Sequence, residues 1–245
     1  VKPAFSLLVP TRSRPDRFLG MVASAVRTAS LPGQIEVIAY VDEDDPALAE
    51  YLKTQNEIHY HVGPRRPVAQ AWEALVREAS GGKLMFCADD VVFRTKHWDA
   101  LVVEEFGKRP DRLAVVSPED GTGKDKATHW FVSRQWIRAV GYFTWTGDIA
   151  GLGPFEHFGC DDVPELIARG AGRYVWRRDI IVEHMHPKHG KAPNDELYRS
   201  KRVRGPDGRT PSERDTERLR ALEPEILAAI GRVKAAIAEH AGAAA

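Results

Sequence analysis

The chain has 245 residues, of which 43% are hydrophobic and 29% charged, and its 35 basic and 35 acidic side chains leave a formal net charge of zero. That is the composition of an ordinary globular protein, long enough for one large domain or a domain with an appendage. The balance removes any global field for holding nucleic acid or an anionic membrane. Cys87 and Cys160 have no ligand-like spacing and suggest no disulfide framework. No apolar stretch approaches the roughly 18 residues of a membrane span, and no signal-peptide pattern is present, so a cytoplasmic protein without a membrane span is expected.

In chain order, FSLLVP (5–10) reads as a buried strand closed by Pro10. Ser13, ahead of Pro15 and Asp16, is a candidate helix cap, and 18–28 carries the apolar face. IEVIAYVD (35–42) is a second strand ending in acid, 46–53 a short helix, and IHYHVG (58–63) a third strand. Residues 68–79 form a helix stopped by Gly81 and Gly82, and KLMFCA is the fourth strand, ending at Asp89 and Asp90. This alternation indicates an α/β sheet, mostly parallel, in which ligands bind beyond the carboxyl ends of the strands. Asp42 and the Asp89–Asp90 pair both fall at such ends.

The second half is less regular. LAVVSP (113–118) and HWFVS (129–133) read as strands, 135–140 as a short helix closed by Gly141, 162–169 as a helix, and YVWRRDIIVEH as a strand. YFTWTGDIAGLGPFEHFGCDD has no clear period and reads as an active-site loop more than as core. The polar 187–211 segment reads as a mobile loop. A long helix follows, with Thr210 as cap, Pro211 at its first position and Glu213 completing a capping box. Leu219, Leu222, Ile226, Ile230, Val233 and Ile237 form one apolar stripe, with Pro224 as a kink. The stripe docks on the domain or on a second subunit, as in a homodimer.

Two carboxylates at the tip of a buried strand are costly to desolvate unless a cation or hydrogen-bond donors face them. Hard oxygen ligands there suit Mg²⁺ or Mn²⁺ held jointly with a phosphate, against the blander reading of a solvated turn. His184 and His186, in IIVEHMHPKHGK, are the best further ligands, and an imidazole would favour Mn²⁺ over Mg²⁺. PTRSRPDRF sets Arg12, Arg14 and Arg17 at a strand end and helix start, where anions are favoured. Asp161 and Asp162 precede a helix, so one is a candidate general base and Asp161 a candidate cap. YRSKRVRG is a basic stretch that reads either as a solvated loop or as a track for a phosphate backbone.

The segments FSLLVPTRSRPDRF, IEVIAYVDEDD, VGPRRPVAQAWEALVREASGGKLMFCADD, FGCDDVPELIARG and IIVEHMHPKHGKAPNDELY, in that order, resemble GT-A glycosyltransferases of the family 2 type over most of 4–198. The resemblance implies an α/β GT-A (Rossmann-like) fold: a mixed, mostly parallel sheet flanked by helices. It implies a catalytic domain over 1–198, followed by a basic loop and C-terminal helical extension over 199–245. Pro10, Thr11, Arg12 and Arg14 would line the nucleotide pocket, Asp42 would contact the base or ribose, and Arg65 or Arg66 would lie near the nucleotide. Asp89, with Asp90 beside it, would bind the metal, with His184 (and His186) as protein partner. Asp162, or else Asp161, would be the base. Lys191, Asp195 and Tyr198 look like a lid over the diphosphate. The implied reaction is hexosyl transfer, with inversion, from a nucleotide-sugar donor, UDP by family habit, to an acceptor hydroxyl. The acceptor is left open among a glycan, a small molecule and a hydroxylated base in DNA.

One departure is local: on the DxD pattern, commonly DADD, the first aspartate falls on Cys87, leaving C-A-D-D. Two rivals stand beside this reading. A sugar-phosphate nucleotidyltransferase would need a Gly-rich N-terminal loop with a following lysine, and PTRSRPDRF has no glycine. A catalytically silent nucleotide-sugar-binding module would treat Cys87 as decay, against the retention of Asp89, Asp162 and His184.

Overall fold

The computed structural model describes residues 2–55 and 58–243. Strands and helices alternate as β1 (Phe5–Thr11), α1 (Pro15–Thr28), β2 (Ile35–Asp42), α2 (Pro46–Lys53), β3 (His59–Gly63), α3 (Val68–Glu78) and β4 (Lys83–Phe86). Then come β5 (Val91–Phe93), α4 (Trp98–Gly107), β6 (Val115–Glu119), β7 (Trp130–Ser133), α5 (Arg134–Val140), α6 (Asp162–Gly170) and β8 (Tyr174–His184). The chain ends with α7 (Glu196–Ser200), α8 (Pro211–Ala221) and α9 (Glu223–Ala243). Every expected strand and helix up to β4 is present. Ser13, however, has a positive φ and does not cap α1; Arg14 holds the cap position without a side-chain bond. The sequence reading lacked β5 and α4. VVF is too short to show a period, and Ala100, Leu101 and Val103 spread apolar residues around α4 beyond a single stripe.

The strands form one sheet in the order β3-β2-β1-β4-β7-β6-β8-β5. β1 runs parallel to β2 and β4, β2 to β3, and β6 to β8, whereas β7 and β5 join antiparallel. Because successive side chains of a strand face opposite sides, the sheet carries two cores. Leu7, Val9, Val37, Ala39 and Met85 pack with Phe18 and Met21 of α1, Leu48 of α2 and Trp98 of α4. Leu8, Ile38, Tyr40, Leu84 and Phe86 face the other way, onto Trp72 and Leu75 of α3, Trp136 of α5 and Ile167 of α6. Gly81 lets the turn before β4 lie against β1, since a Cβ there would stand 2.6 Å from backbone atoms of Phe5 and Ser6.

Three expectations change on the structure. The aromatic-rich segment divides: Phe143, Ile149, Phe155 and Cys160 are buried in the core, and its end, 156–161, turns to the site described below. Irregular backbone explains the missing period. The 187–211 segment contains α7, whose Tyr198 is buried. At the C-terminus the capping box of Thr210 and Glu213 forms, but the chain breaks at Leu222 into two helices, with Pro224 in the first turn of α9 rather than at a kink.

The apolar stripe docks on the domain itself. Leu222, Ile226 and Val233 are buried in the core shared with α5 and α6, and Leu219, Ile230 and Ile237 pack against it. The stripe is thereby covered within the chain itself. Ile226→Ala is expected to lower unfolding free energy by about 2–5 kcal/mol, the range for deleting a large buried aliphatic side chain, as read by urea denaturation.

Candidate active site

The parallel strands β1, β2 and β4 end on one edge of the sheet, and a cavity of about 800 Å³ opens there. Pro10, Thr11, Asp42, Asp89 and Asp90 line it, as do Arg12, Arg14, Arg65 and Arg66. Trp72 of α3 fixes the strand ends: its indole N–H donates to the carbonyls of Leu8 (2.9 Å) and Cys87 (3.0 Å). Its ring stacks on Phe86, with centroids 3.6 Å apart, and Phe86 stacks in turn on Trp130. Cys87, at the first position of the acidic motif, is fully buried in the opposite core and takes no part in the cavity.

The two aspartates have different partners. Asp89 accepts from the Thr11 hydroxyl (2.9 Å) and from Arg14 Nη1 (3.2 Å). Burial, reinforced by the neighbouring Asp90 charge, pushes its carboxyl up to about 6 against the pull of Arg14. Asp90 Oδ1 lies 3.5 Å from His184 Nε2, while Oδ2 accepts from the Tyr198 hydroxyl. Burial would raise the Asp90 carboxyl, but the His184 imidazole and Tyr198 hold it well below the usual carboxylate range. Arg14 also binds Asp195, through Nε (2.9 Å) and Nη2 (2.8 Å), and lies over the Tyr198 ring. The segment carrying Asp195 and Tyr198 is thereby drawn across the acidic pair.

A third residue joins Asp90 and His184. One ligand atom from each of Asp90, His129 and His184 falls within a 4.8 Å group. His129 is buried, and its Nδ1 has no hydrogen-bond partner among the described residues. Burial, with His184 nearby, lowers the His129 imidazole to about 3, so it is neutral and has a lone pair to offer near neutral pH. One carboxylate and two imidazoles, one of which carries the orphaned ring nitrogen, fit a borderline divalent cation such as Mn²⁺. Asp89 stands outside this group, with Arg14 as its cation. His186 lines the cavity beside His184 but is also outside it, and its Nδ1 accepts from the Lys188 amide (3.0 Å).

Sheet register explains the grouping. Phe86 pairs with Trp130 across β4 and β7, which sets His129 beyond the carboxyl end of β4. Val91 pairs with His184 across β5 and β8, which sets Asp90 beside that imidazole. HWFVS was legible as a strand, but only its antiparallel placement next to β4 singles out its first residue.

Of the other expected nucleotide ligands, Arg12 donates to Asp42 (2.9 Å) and chelates Asp44, so it bridges the ends of β1 and β2. Arg66 lies over the Tyr40 ring, and Arg65 is 3.8 Å from Asp44. Lys191 is not brought into the cavity: its ammonium pairs with Glu183 (2.8 Å) and donates to the Gly121 carbonyl (3.1 Å).

Asp161 lines the cavity, whereas Asp162 is turned to Lys126 at 3.0 Å, with Asp161 at 3.9 Å from the same ammonium. Asp161 occupies the cap position of α6 without a side-chain cap bond, so capping does not use its carboxylate. Burial and the adjacent Asp162 push its carboxyl up to about 6. The loop before it is held from α8: buried Asp215 accepts from the amides of Glu156, His157 and Phe158 at 2.8–2.9 Å and pairs with Arg218. Asp215→Ala should strip three charge-assisted bonds and lower stability by about 3–5 kcal/mol, measured by chemical denaturation.

The basic stretch does not form a continuous track. Arg199 donates to the Asn194 carbonyl, and Arg204 pairs with Glu213, while Lys201 and Arg202 line the cavity.

No family model matches the sequence, and no curated protein matches it. Solved structures do. The fold is similar to mannosyltransferase PcManGT from Pyrobaculum calidifontis in complex with GDP-Man and Mn²⁺, with a TM-score of 0.58 at 13% identity over 99% of this chain and 76% of that one. It is also similar to S. aureus TarS 1-349 in complex with UDP (TM-score 0.53) and with UDP-GlcNAc (0.51), both at 14% identity over 73% of this chain. The chain has the GT-A fold. It spans only 59% and 57% of those two TarS chains, less than two thirds of their length. In this GT-A chain, among the described residues, no helix is long and apolar enough to cross a membrane.

Proposed function

We propose that this GT-A chain is a metal-dependent, inverting glycosyltransferase that moves a sugar from a UDP- or GDP-sugar to an acceptor hydroxyl. The observation that carries the reading is the group Asp90, His129 and His184, with its orphaned Nδ1, in the wall of the cavity that Asp161 also lines. A buried ring nitrogen without a partner among the described residues is unfavourable by itself, and a bound cation would relieve it. The complexes of similar fold, with GDP-Man and Mn²⁺ in one and UDP-GlcNAc in another, support a nucleotide-sugar donor.

In this reading Thr11, Arg12, Asp42 and Arg66 hold the nucleoside end, along the β1 and β2 edge. Mn²⁺ or Mg²⁺ held by Asp90, His129 and His184 would supply charge neutralisation for the departing diphosphate. Arg14 keeps Asp89 and the α7 segment in register with that site. Asp161 takes the proton of the acceptor hydroxyl as the oxygen attacks the anomeric carbon opposite the leaving group, which inverts the anomeric centre. The better base is therefore Asp161, since Lys126 holds Asp162. Asp195 and Tyr198 would close the donor from water. The acceptor is read as a glycan or small molecule in preference to DNA, because Arg199 and Arg204 are engaged within the chain.

The test is release of nucleoside diphosphate from a panel of UDP- and GDP-sugars with and without Mn²⁺, followed by assignment of the product anomer by NMR. Metal-dependent release from one donor with an inverted product is expected. Binding of a donor without turnover would favour the silent module, and binding of no donor would overturn the nucleotide-sugar reading altogether.

A further inference from the structure

Lys201 and Arg202 both line the cavity, immediately after α7. The carboxylates around that cavity already face cations. Asp42 pairs with Arg12, Asp89 and Asp90 with Arg14, Glu156 with Arg214 and Arg218, and Asp161 lies 3.9 Å from Lys126. Among the described residues neither Lys201 nor Arg202 has a carboxylate partner. The Lys201 ammonium has only the face of Tyr198, at 5.5 Å. Lys201 is half-buried and Arg202 exposed, and a half-buried ammonium in the cavity wall without an anion makes the pocket at this end complementary to a ligand anion.

We propose that Lys201, with Arg202 beside it, is a phosphoryl-binding subsite on the α7 side of the cavity. A phosphoryl group matches it in charge and supplies several acceptor oxygens to the three ammonium hydrogens and the guanidinium fork. Burial and nearby Arg14 lower the Lys201 amine to about 8, a strain that an arriving anion relieves while the amine stays protonated. Resting on the glycosyltransferase reading, the phosphoryl group belongs either to the donor diphosphate or to a phosphate on the acceptor.

Calorimetry on the full chain separates the two sources. The first arm titrates GDP, UDP, guanosine and uridine, with Mn²⁺, into wild type, Lys201→Met and Lys201→Arg. Methionine keeps an apolar stem against Tyr198, and thermal melts verify folding. If the group is the donor's, Lys201→Met weakens diphosphate binding about 10- to 100-fold, leaves nucleoside binding unchanged, and Lys201→Arg recovers most of the loss. The second arm adds inorganic phosphate to protein saturated with GDP or UDP. If the group is the acceptor's, phosphate binds wild type and not Lys201→Met. Insensitivity of both arms to a folded Lys201→Met overturns the proposal. Should wild type bind neither nucleotide, the glycosyltransferase reading fails by itself. Inorganic phosphate titrated into the free protein then decides: binding lost in Lys201→Met supports the subsite, and binding absent from wild type or retained in the variant overturns it.

Discussion

Asp90→Ala is expected to lower metal-dependent donor turnover by about 100-fold or more, with Asp89→Asn about tenfold down. Altering a group that only orients a metal ligand already costs about 10–100-fold in affinity or activity, and loss of a ligand costs at least the upper end of that range. Asp90 faces His184 and shares the metal-competent group, whereas Asp89 answers to Thr11 and Arg14. The order of the two effects is the informative part. On the sequence alone both Asp89 and Asp90 are metal residues, with Asp89 the principal one. Initial rates over a Mn²⁺ series separate the two: Asp90→Ala should not recover at high metal, and a greater loss in Asp89→Asn would return the metal to Asp89.

Asp161→Asn is expected to lower kcat by about 10²–10⁴-fold, the contribution of a positioned general base, with little change in donor KM. Asp162→Asn should cost less, because Asp162 is bound to Lys126 outside the cavity lining. The pH dependence carries a sign. A carboxyl raised to about 6 is protonated, and useless as a base, below that pH, so kcat at saturating donor should rise with pH through about 6 and then level. Asp162→Asn should keep an acid limb, shifted downward because a neighbouring negative charge is gone. Asp161→Asn should lose it. A limb unchanged in Asp161→Asn, or a larger loss in Asp162→Asn, would move the base elsewhere.

Local pattern carried the parallel half of the fold. FSLLVP, IEVIAYVD and KLMFCA are short apolar runs with turn signals at each end, and each became a strand of the sheet within a residue or two. Strand ends in such a sheet share an edge, which groups Asp42 with Asp89 and Asp90 from local pattern alone. His129 cannot be grouped this way, because its place depends on β7 running antiparallel beside β4, a long-range pairing that no local period encodes. The same limit applies to Lys191. The resemblance implies a place for it in a lid over the diphosphate, but it pairs with Glu183 on β8, outside the cavity lining. The aromatic-rich segment is legible only as a loop, whose end does line the cavity; residues packed through irregular backbone have no period to read, and Phe143 and Phe155 are core without a helix or strand beneath them. Asp215 gave no signal at all, since a lone acid in a charged helix declares nothing about the three amides it gathers from another loop.

The most direct test of the proposed metal centre is Mn²⁺ binding followed by the EPR signal of the free ion, in wild type, His129→Ala and Asp89→Asn, each with GDP or UDP present. One Mn²⁺ site that is lost or weakened at least about tenfold in His129→Ala and retained in Asp89→Asn is the predicted result. Binding indifferent to His129 and abolished with Asp89 would contradict it, and would place the cation on the acidic motif without the imidazoles.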